Sequence, residues 1–183
     1  MMEEMIIAGF GGQGVMSMGQ LIAYAGMIEG KGVSWLPSYG PEQRGGTANC
    51  AVVVSDEPVG SPVVTQPTTA IVLNNPSFDK FEPRVRPGGL LIVNSSLVMK
   101  VSARTDIKVI ELPATDLAND LGNSRVANMI LLGAFLELSK IVSVDSIIES
   151  LRKVLGEEKV HLIEVNKLAL QKGAALVVGT GVG

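Results

Sequence analysis

The feature that most constrains the fold is a glycine-rich segment that directly follows a short apolar run. Met5–Ala8 is apolar, and Gly9-Phe10-Gly11-Gly12-Gln13-Gly14 comes next, before a stretch with apolar residues at helical spacing. This G-x-G-x-x-G spacing between a strand and a helix is typical of loops whose backbone N–H groups approach an anion closely. The partial positive charge of the helix N-terminus favours the same anion. The alternative is that the glycines only permit a tight turn pressed against another subunit.

Short apolar runs alternate with segments of helical periodicity along most of the chain. The pattern predicts strands over Met5–Phe10, Val33–Leu36, Thr47–Val54, Ala70–Leu73, Leu90–Asn94 and Ile107–Leu112. It predicts helices over 15–29, 77–81, 114–121, 125–139, 144–155 and 164–172. Continuous apolar strands alternating with helices indicate an α/β fold with a mostly parallel sheet covered on both faces. We expect one domain over 1–173 and a flexible tail over 174–183.

Composition indicates contacts with other protein chains and argues against some classes of partner. Charged residues make up 18% of the chain, where about 25% is typical, and the mean hydropathy is +0.36. Such a charge deficit favours an apolar surface patch that contacts another subunit; a monomer with a large core is the alternative. The net charge of −3 and the pI near 5.2 argue against a nucleic-acid partner.

The sequence also indicates the compartment. One cysteine excludes an internal disulfide and fits a reducing cytosol. The start, MMEEMIIAGF, has two acids where a secretory signal carries positive charge. A membrane span needs about twenty continuous apolar residues, and glycines interrupt the first apolar run after Ala8. We expect a soluble, cytoplasmic protein.

The glycine loop alone does not make a dinucleotide site. Such a site uses an Asp or Glu at the end of the second strand to bind the ribose hydroxyls. The second predicted strand ends in Trp35-Leu36-Pro37-Ser38, without a carboxylate, and Glu29 falls at the end of the preceding helix. This disfavours NAD, although a freestanding Rossmann-type nucleotide-binding protein stays open as an alternative.

A second glycine-rich segment, 38–47, joins two predicted strands. It reads Ser38-Tyr39-Gly40-Pro41-Glu42-Gln43-Arg44-Gly45-Gly46-Thr47. The planar guanidinium of Arg44 suits a carboxylate or phosphate, and Ser38 and Tyr39 add hydroxyl groups. The alternative is an exposed loop with a solvated Arg–Glu pair. Because ligands of open α/β sheets bind outside the carboxyl ends of the strands, we expect both glycine segments to meet there, at the ends of neighbouring strands.

Segments 9–14 and 37–50 together resemble the gamma subunit of 2-oxoacid:ferredoxin oxidoreductases. The wording Arg44-Gly45-Gly46-Thr47-Ala48-Asn49 is similar to subunits of the 2-oxoglutarate and branched-chain enzymes more than to those of the pyruvate enzymes. The resemblance continues in order through Asn75-Pro76-Ser77, Pro87-Gly88-Gly89, Asn94-Ser95-Ser96 and Leu121-Gly122-Asn123-Ser124-Arg125-Val126-Ala127-Asn128-Met129. It fades after Leu155.

The resemblance implies a three-layer, Rossmann-like α/β fold and a redox complex. Such a complex cleaves a 2-oxoacid with thiamine diphosphate and Mg²⁺, transfers the acyl group to coenzyme A, and passes electrons through iron–sulfur clusters to ferredoxin. The implied partners are alpha, beta and ferredoxin-like delta subunits, with a homodimer for the isolated chain. The implied substrate is 2-oxoglutarate, and the cofactors are expected on the partner subunits.

The residues of the chain themselves offer little redox chemistry. Iron–sulfur clusters need several thiolates, whereas Cys50 is the single cysteine and His161 the single histidine, too few for a zinc site as well. We expect Cys50 to be a buried apolar residue, His161 a structural or surface residue, and Asp116 and Asp120 solvated helix charges. We assign no catalytic or metal-binding residue to this chain.

The chain is therefore expected to be an accessory subunit that helps to form the coenzyme A site; a purely structural assembly subunit is the alternative. The candidate ligand or interface residues lie on the two glycine segments and on one helix: Gly11, Gly12, Gln13, Gly14, Ser38, Tyr39, Gly40, Pro41, Glu42, Arg44, Gly45, Gly46 and Asn128. Asn123 and Ser124 are expected to cap the helix that begins near Arg125. Arg125 and Asn128 either pack there or face a ligand.

Overall fold

The computed structural model describes residues 1–39 and 47–179. Their strands are β1 (Met2–Phe10), β2 (Gly32–Tyr39), β3 (Thr47–Ser55), β4 (Thr69–Val72), β5 (Leu90–Asn94) and β6 (Lys108–Leu112). Their α-helices are α1 (Val15–Ile28), α2 (Asn75–Phe81), α3 (Ala114–Asp120), α4 (Ala127–Ser139), α5 (Val144–Leu155) and α6 (Ile163–Val177). Short 3-10 helices cover Glu82–Arg84, Ser124–Val126 and Glu157–Leu162.

The strands described form one mixed sheet in the order β2-β3-β1-β4-β5-β6. Strands β1, β4, β5 and β6 pair in parallel. Strand β3 runs antiparallel to both of its neighbours, β1 and β2. The prediction of a mostly parallel sheet is confirmed, with β3 as the reversed strand.

Alternating side chains of each strand serve two apolar layers. In β1, Met5 and Ile7 pack into the larger layer, with α1, α3, α4, α5 and α6. Ile6 and Ala8 point to the opposite face, where the smaller layer includes residues of α2. Because successive strand residues face opposite sides of a sheet, one apolar run supports both layers. The predicted three-layer α/β fold is confirmed.

Several predicted boundaries are wrong, and two of them have a clear physical reason. Strand β2 continues through Pro37 to Tyr39, where we expected Pro37 to stop it. Proline lacks the N–H that a central strand needs, but it is tolerated on an edge strand, and β2 is at the edge of the sheet. The expected flexible tail also begins too early, because helix α6 extends through Val177.

Helix α6 is held by close contact with α4 rather than by a capping signal. A Cβ atom on Gly133 would overlap the backbone of Leu170, and one on Gly173 would overlap the backbone of Ile130. The two glycines therefore let the backbones of the two helices come into contact.

None of the helices in 1–39 and 47–179 combines the length and apolar character that a bilayer crossing requires.

Candidate functional site

The first glycine loop connects β1 to α1 through two residues with positive φ. Gly12 has φ 89° and Gly14 has φ 77°, a region that residues with a Cβ atom rarely adopt. A Cβ atom on Gly14 would also overlap the side-chain amide of Asn128. Gly14 is the N-cap of α1, and no side chain in 1–39 or 47–179 caps that end. Among the described residues, the first-turn N–H groups of α1 therefore have no side-chain acceptor.

Two side-chain amides hold the loop in this conformation. Gln13 Oε1 accepts a hydrogen bond from the Phe10 N–H at 2.6 Å, and Gln13 Nε2 donates to the Leu73 carbonyl at 3.4 Å. Asn128 Nδ2 donates to the Gly14 carbonyl at 3.2 Å, and Asn128 is 7% exposed. Gln13 thus ties the loop to the end of β4, and Asn128 supports it from α4.

A crevice opens on the β4 side of the loop, and we call it the Arg125 crevice. Its volume is about 230 Å³, and it is lined by Gly12, Gln13, Leu73, Asn94, Leu97, Thr115, Ser124, Arg125 and Ala127. It lies at the carboxyl ends of β1, β4 and β5. From β1 the chain continues to β2, towards one end of the strand order. From β4 it continues to β5, towards the opposite end. Ligands of open α/β sheets bind at such a switch point.

The wall opposite the glycine loop is polar and preorganised. Asn94, 1% exposed, accepts hydrogen bonds at Oδ1 from the N–H groups of Ser96 at 3.3 Å and Ala114 at 3.1 Å, and donates from Nδ2 to Thr115 Oγ1 at 3.0 Å. Arg125 is exposed, and it is the one charged residue among those lining the crevice. The crevice therefore offers one cation and several neutral hydrogen-bonding groups, which suits an anionic ligand.

Sequence reasoning did not place Asn94, Thr115 or Ser124 in a site. Asn94 could have been predicted, because a polar residue at the carboxyl end of a buried strand lies where ligands of open α/β sheets bind. Thr115 and Ser124 follow β6, and only the sheet order brings them towards the first loop. Asn123 caps the 3-10 helix at Ser124–Val126 by accepting from the Arg125 N–H at 3.0 Å, as predicted. Ser124 lies inside that helix instead of capping it.

A second crevice lies on the β3 side of the loop, and we call it the Tyr39 crevice. Its volume is about 360 Å³, and it is lined by Phe10, Gly11, Gly12, Gly14, Val15, Met16, Ser17, Tyr39 and Ala48. The strand register explains this, since Phe10 pairs with Thr47 and Tyr39 pairs with Ala48. The segments that flank the two glycine loops thus meet at the end of the sheet where β1 finishes, as predicted. The carboxyl ends of β1 and β2 are not on neighbouring strands, because β3 lies between them; the second segment reaches the first loop through the start of β3.

The remaining predicted site residues do not line either crevice or lie outside the described part of the chain. Ser38 is exposed near the end of β2, and Asn128 lines neither crevice but supports the loop. The predicted residues Gly40, Pro41, Glu42, Arg44, Gly45 and Gly46 lie outside the described residues.

The sheet order argues against the dinucleotide alternative. In a dinucleotide-binding fold, β2 lies beside β1 and its terminal acid reaches the ribose. Here β3 separates them. Glu29 follows α1 and accepts hydrogen bonds from the Ser143 N–H at 2.7 Å and Ser146 Oγ at 2.8 Å. Its carboxylate thus binds the N-cap residue and the first turn of α5, at the end of α1 opposite the glycine loop.

Among the described residues, no group of three or more His, Cys, Asp or Glu side chains forms a metal site. Cys50 is fully buried, and burial raises the pKa of its thiol to about 12. A protonated, isolated thiol does not fit an iron–sulfur cluster, which needs several thiolates. His161 is exposed, and Asp116 accepts a hydrogen bond from Ser96 Oγ at the surface.

The fold and crevices define an open α/β domain with an anion-suited site at its switch point. A family model described as pyruvate ferredoxin/flavodoxin oxidoreductase matches residues 4–176. The chain therefore belongs to the pyruvate ferredoxin/flavodoxin oxidoreductase family, and the resemblance to gamma subunits noted above is confirmed.

Relatives within the family differ in length. The chain is 42% identical to ketoisovalerate oxidoreductase subunit VorA of Methanothermobacter marburgensis over 92% of its own length, but it spans only 35% of VorA. It is 33% identical to 2-oxoglutarate synthase subunit KorC of Methanocaldococcus jannaschii, over 91% of the chain and 92% of KorC. Among solved structures, a keto/oxoacid ferredoxin oxidoreductase gamma subunit from Geobacter sulfurreducens matches with a TM-score of 0.82 and 29% identity, over 97% of this chain and 99% of that chain.

Proposed function

We propose that the chain is the gamma-type subunit of a 2-oxoacid:ferredoxin oxidoreductase complex. The complex would oxidatively decarboxylate a 2-oxoacid to an acyl-CoA, with ferredoxin as electron acceptor. The observation that carries the proposal is the near-full-length similarity to a subunit named for 2-oxoglutarate synthase, together with an anion-suited crevice at the switch point. Thiamine diphosphate, Mg²⁺ and the iron–sulfur clusters are assigned to the alpha, beta and delta partners because the resemblance implies them there, and because a cluster needs several thiolates whereas this chain has one cysteine.

Coenzyme A is the ligand proposed for the glycine-loop site. Its phosphates suit the Arg125 guanidinium and the N–H groups near the uncapped start of α1, because charge-assisted hydrogen bonds and the helix dipole both favour an anion. Thr115 and Ser124 add hydroxyl donors on the same wall. These residues would bind and orient the acyl acceptor, while the bond-making chemistry takes place on partner subunits.

The substrate proposed first is 2-oxoglutarate. A branched-chain 2-oxoacid is the second candidate, favoured by the higher identity to a ketoisovalerate oxidoreductase subunit. The complex, purified through a tag on this chain, should reduce ferredoxin only when a 2-oxoacid and coenzyme A are both present. The ratio of kcat/KM for 2-oxoglutarate to that for ketoisovalerate decides between the candidates. Absence of activity with every 2-oxoacid would refute the proposal.

The coenzyme A role is tested by Arg125→Ala in the assembled complex. Loss of one charge-assisted contact is worth about 1.5–3 kcal/mol, so we expect KM for coenzyme A to rise about 10- to 100-fold. Arg152→Ala, at an exposed position on α5, is the matched control and should leave KM unchanged. Arg44→Ala tests the second segment in the same assay. If neither Arg125→Ala nor Arg44→Ala changes KM for coenzyme A, the chain is a purely structural assembly subunit.

A further inference from the structure

One side of the molecule is built from segments without charge. The chain has 15 Lys and Arg residues and 18 Asp and Glu residues, and none of them falls in 5–28 or 32–39. These two segments supply most of β1 and all of α1 and β2. The absence of charge is expected for buried positions, but both α1 and β2 also contribute surface.

Helix α1 exposes a stripe opposite its buried face. Ser17, Gln20, Tyr24 and Met27 recur at three- or four-residue spacing, which places them on one face of a helix. Tyr24 is 43% exposed and Met27 is 59% exposed. In a protein with 18% charged residues, a solvated helix face without a single charge is unusual, since such faces normally carry polar and charged residues.

Helix α1 packs on the edge strand β2 through its buried face, because glycines on that face let the helix approach the strand closely. A Cβ atom on Gly19 would be 2.8 Å from Trp35 Nε1, and one on Gly26 would be 2.6 Å from Val33 Cγ1. Strand β2 has β3 as its neighbour, and no other described strand pairs with its outer edge. We call the exposed stripe of α1 together with β2 the α1–β2 side.

The composition of the α1–β2 side is that of an interface core. Interface cores are depleted in charged residues and enriched in Tyr, Trp and Met, and this side exposes Tyr24 and Met27. Helix α5 gives the contrast within the same molecule. Its exposed residues include Asp145, Glu149, Arg152 and Lys153, as expected of a face that stays in water.

The longer relatives indicate what covers this side. In VorA of Methanothermobacter marburgensis, the part similar to this chain is 35% of the polypeptide. That domain is therefore covalently linked to further polypeptide in VorA, and an uncharged surface with Tyr and Met suits the core of a contact with it. We propose that the α1–β2 side packs against the polypeptide that corresponds to the remaining length of VorA, supplied as a separate subunit. This inference rests on the proposed function, because it needs the chain to be a subunit of that complex.

The test uses the complex purified from its own host through a tag on this chain. The double variant Tyr24→Glu/Met27→Glu places unpaired charges in the proposed contact, which is strongly unfavourable in a desolvated interface. We expect at least about tenfold less of the VorA-like polypeptide per tagged chain, measured by native mass spectrometry. Leu168→Glu, at a position on α6 that is 50% exposed, is the matched control and should retain the polypeptide. Circular dichroism of each isolated variant checks that it folds.

A second measurement locates the contact without any variant. Hydrogen exchange of peptides covering 15–28 and 32–39 should slow in the complex relative to the isolated chain, whereas peptides covering α5 should not change. Unchanged exchange of 15–28 and 32–39 would overturn the proposal, as would retention of the polypeptide by the double variant. A photo-crosslink from position 24 that joins two copies of this chain would assign the side to a homodimer instead. If the complex is active but the contact lies elsewhere, only this inference fails; if no 2-oxoacid oxidation is found, the proposed function fails with it.

Discussion

The two ends of helix α1 are built in opposite ways. At its start, Gly14 supplies a positive φ and no side-chain cap, and the first-turn N–H groups border a crevice. At its other end, Glu29 accepts hydrogen bonds from the N–H of Ser143 and the hydroxyl of Ser146. Lys31 Nζ donates to the Ile141 carbonyl there at 2.6 Å. The difference shows which end stabilises the domain and which end is left with hydrogen-bonding capacity for a ligand.

The largest effect is expected from Gly14→Ala at the open end. The substitution combines an unfavourable φ with overlap of the Asn128 amide, so we expect a loss of about 3 kcal/mol in the free energy of unfolding, measured with urea. Gly11→Ala is the matched control, because no atom of the described residues lies within 4 Å of its Cβ position and its φ is ordinary. Adding Asn128→Ala to Gly14→Ala should restore the share of the free energy of unfolding that is lost through overlap with the Asn128 side chain. A loss equal to that of Gly11→Ala would contradict the loop geometry.

The buried face of the first half of α1 gives a second point of comparison. Cys50 Sγ lies under the helix, 3.6 Å from the Val15 carbonyl, and burial raises the pKa of the thiol from 9.0 to about 12. The unfolded state therefore loses this proton at lower pH than the folded state. Stability should fall as the pH rises from 9 towards 12, by about 2 kcal/mol at pH ~10.5 from this group.

Cys50→Ala should remove that contribution to the pH dependence. The free energy of unfolding, measured with urea above pH 9, should therefore fall less steeply with pH for the variant than for the wild type. In the native protein, alkylation of the thiol should also be slow. Rapid alkylation of the folded chain at pH 8 would show that the helix does not seal this position.

At the closed end, Glu29→Gln should cost about 1 kcal/mol of stability at neutral pH, because the two hydrogen bonds lose their charge. Burial alone would raise the pKa of Glu29, but the hydrogen bonds from Ser143 and Ser146 and the charge of Lys31 together lower it below 4.5. Its contribution is therefore present above pH ~4.5 and is lost as the pH falls through the lowered pKa. Urea unfolding from pH 7 to 3 should show a shallower slope for the variant. Glu164→Gln, at a side chain that is 81% exposed, should keep the wild-type slope.

The smallest effect on stability is expected from Arg125→Ala beside the open end. The side chain is exposed, so the free energy of unfolding should change by less than about 0.5 kcal/mol. The same variant is expected to weaken coenzyme A binding in the complex. A stability loss comparable to that of Gly14→Ala would mean that Arg125 supports the fold, and the contrast between the two ends of α1 would no longer hold.

Much of the fold could be predicted from the sequence because its signals are local. The glycine loop lies between β1 and α1 as the spacing requires, and Val144–Leu155 and Leu90–Asn94 match their predicted bounds. The errors came from context that is not local. Pro37 continues a strand because β2 is an edge strand, and α6 extends to Val177 because Gly173 packs against the backbone of α4.

The candidate site was predicted in part for the same reason. Gly12, Gln13 and Tyr39 border the crevices because each follows or ends a strand. Asn128 was a candidate ligand or interface residue; the structure gives it a contact that supports the loop, which depends on how α4 crosses the start of α1.

The sequence by itself determined the α/β class, the glycine loop and the single, isolated thiol, since these depend on periodicity, spacing and composition. Only the tertiary structure decided that β3 runs between β1 and β2 and that Arg125 faces the first loop across the switch point. It also decided that α1 packs on β2, the strand at the edge of the described sheet. The physical reason is that strand order and helix packing bring together residues about a hundred positions apart, and no local pattern records which of them will meet.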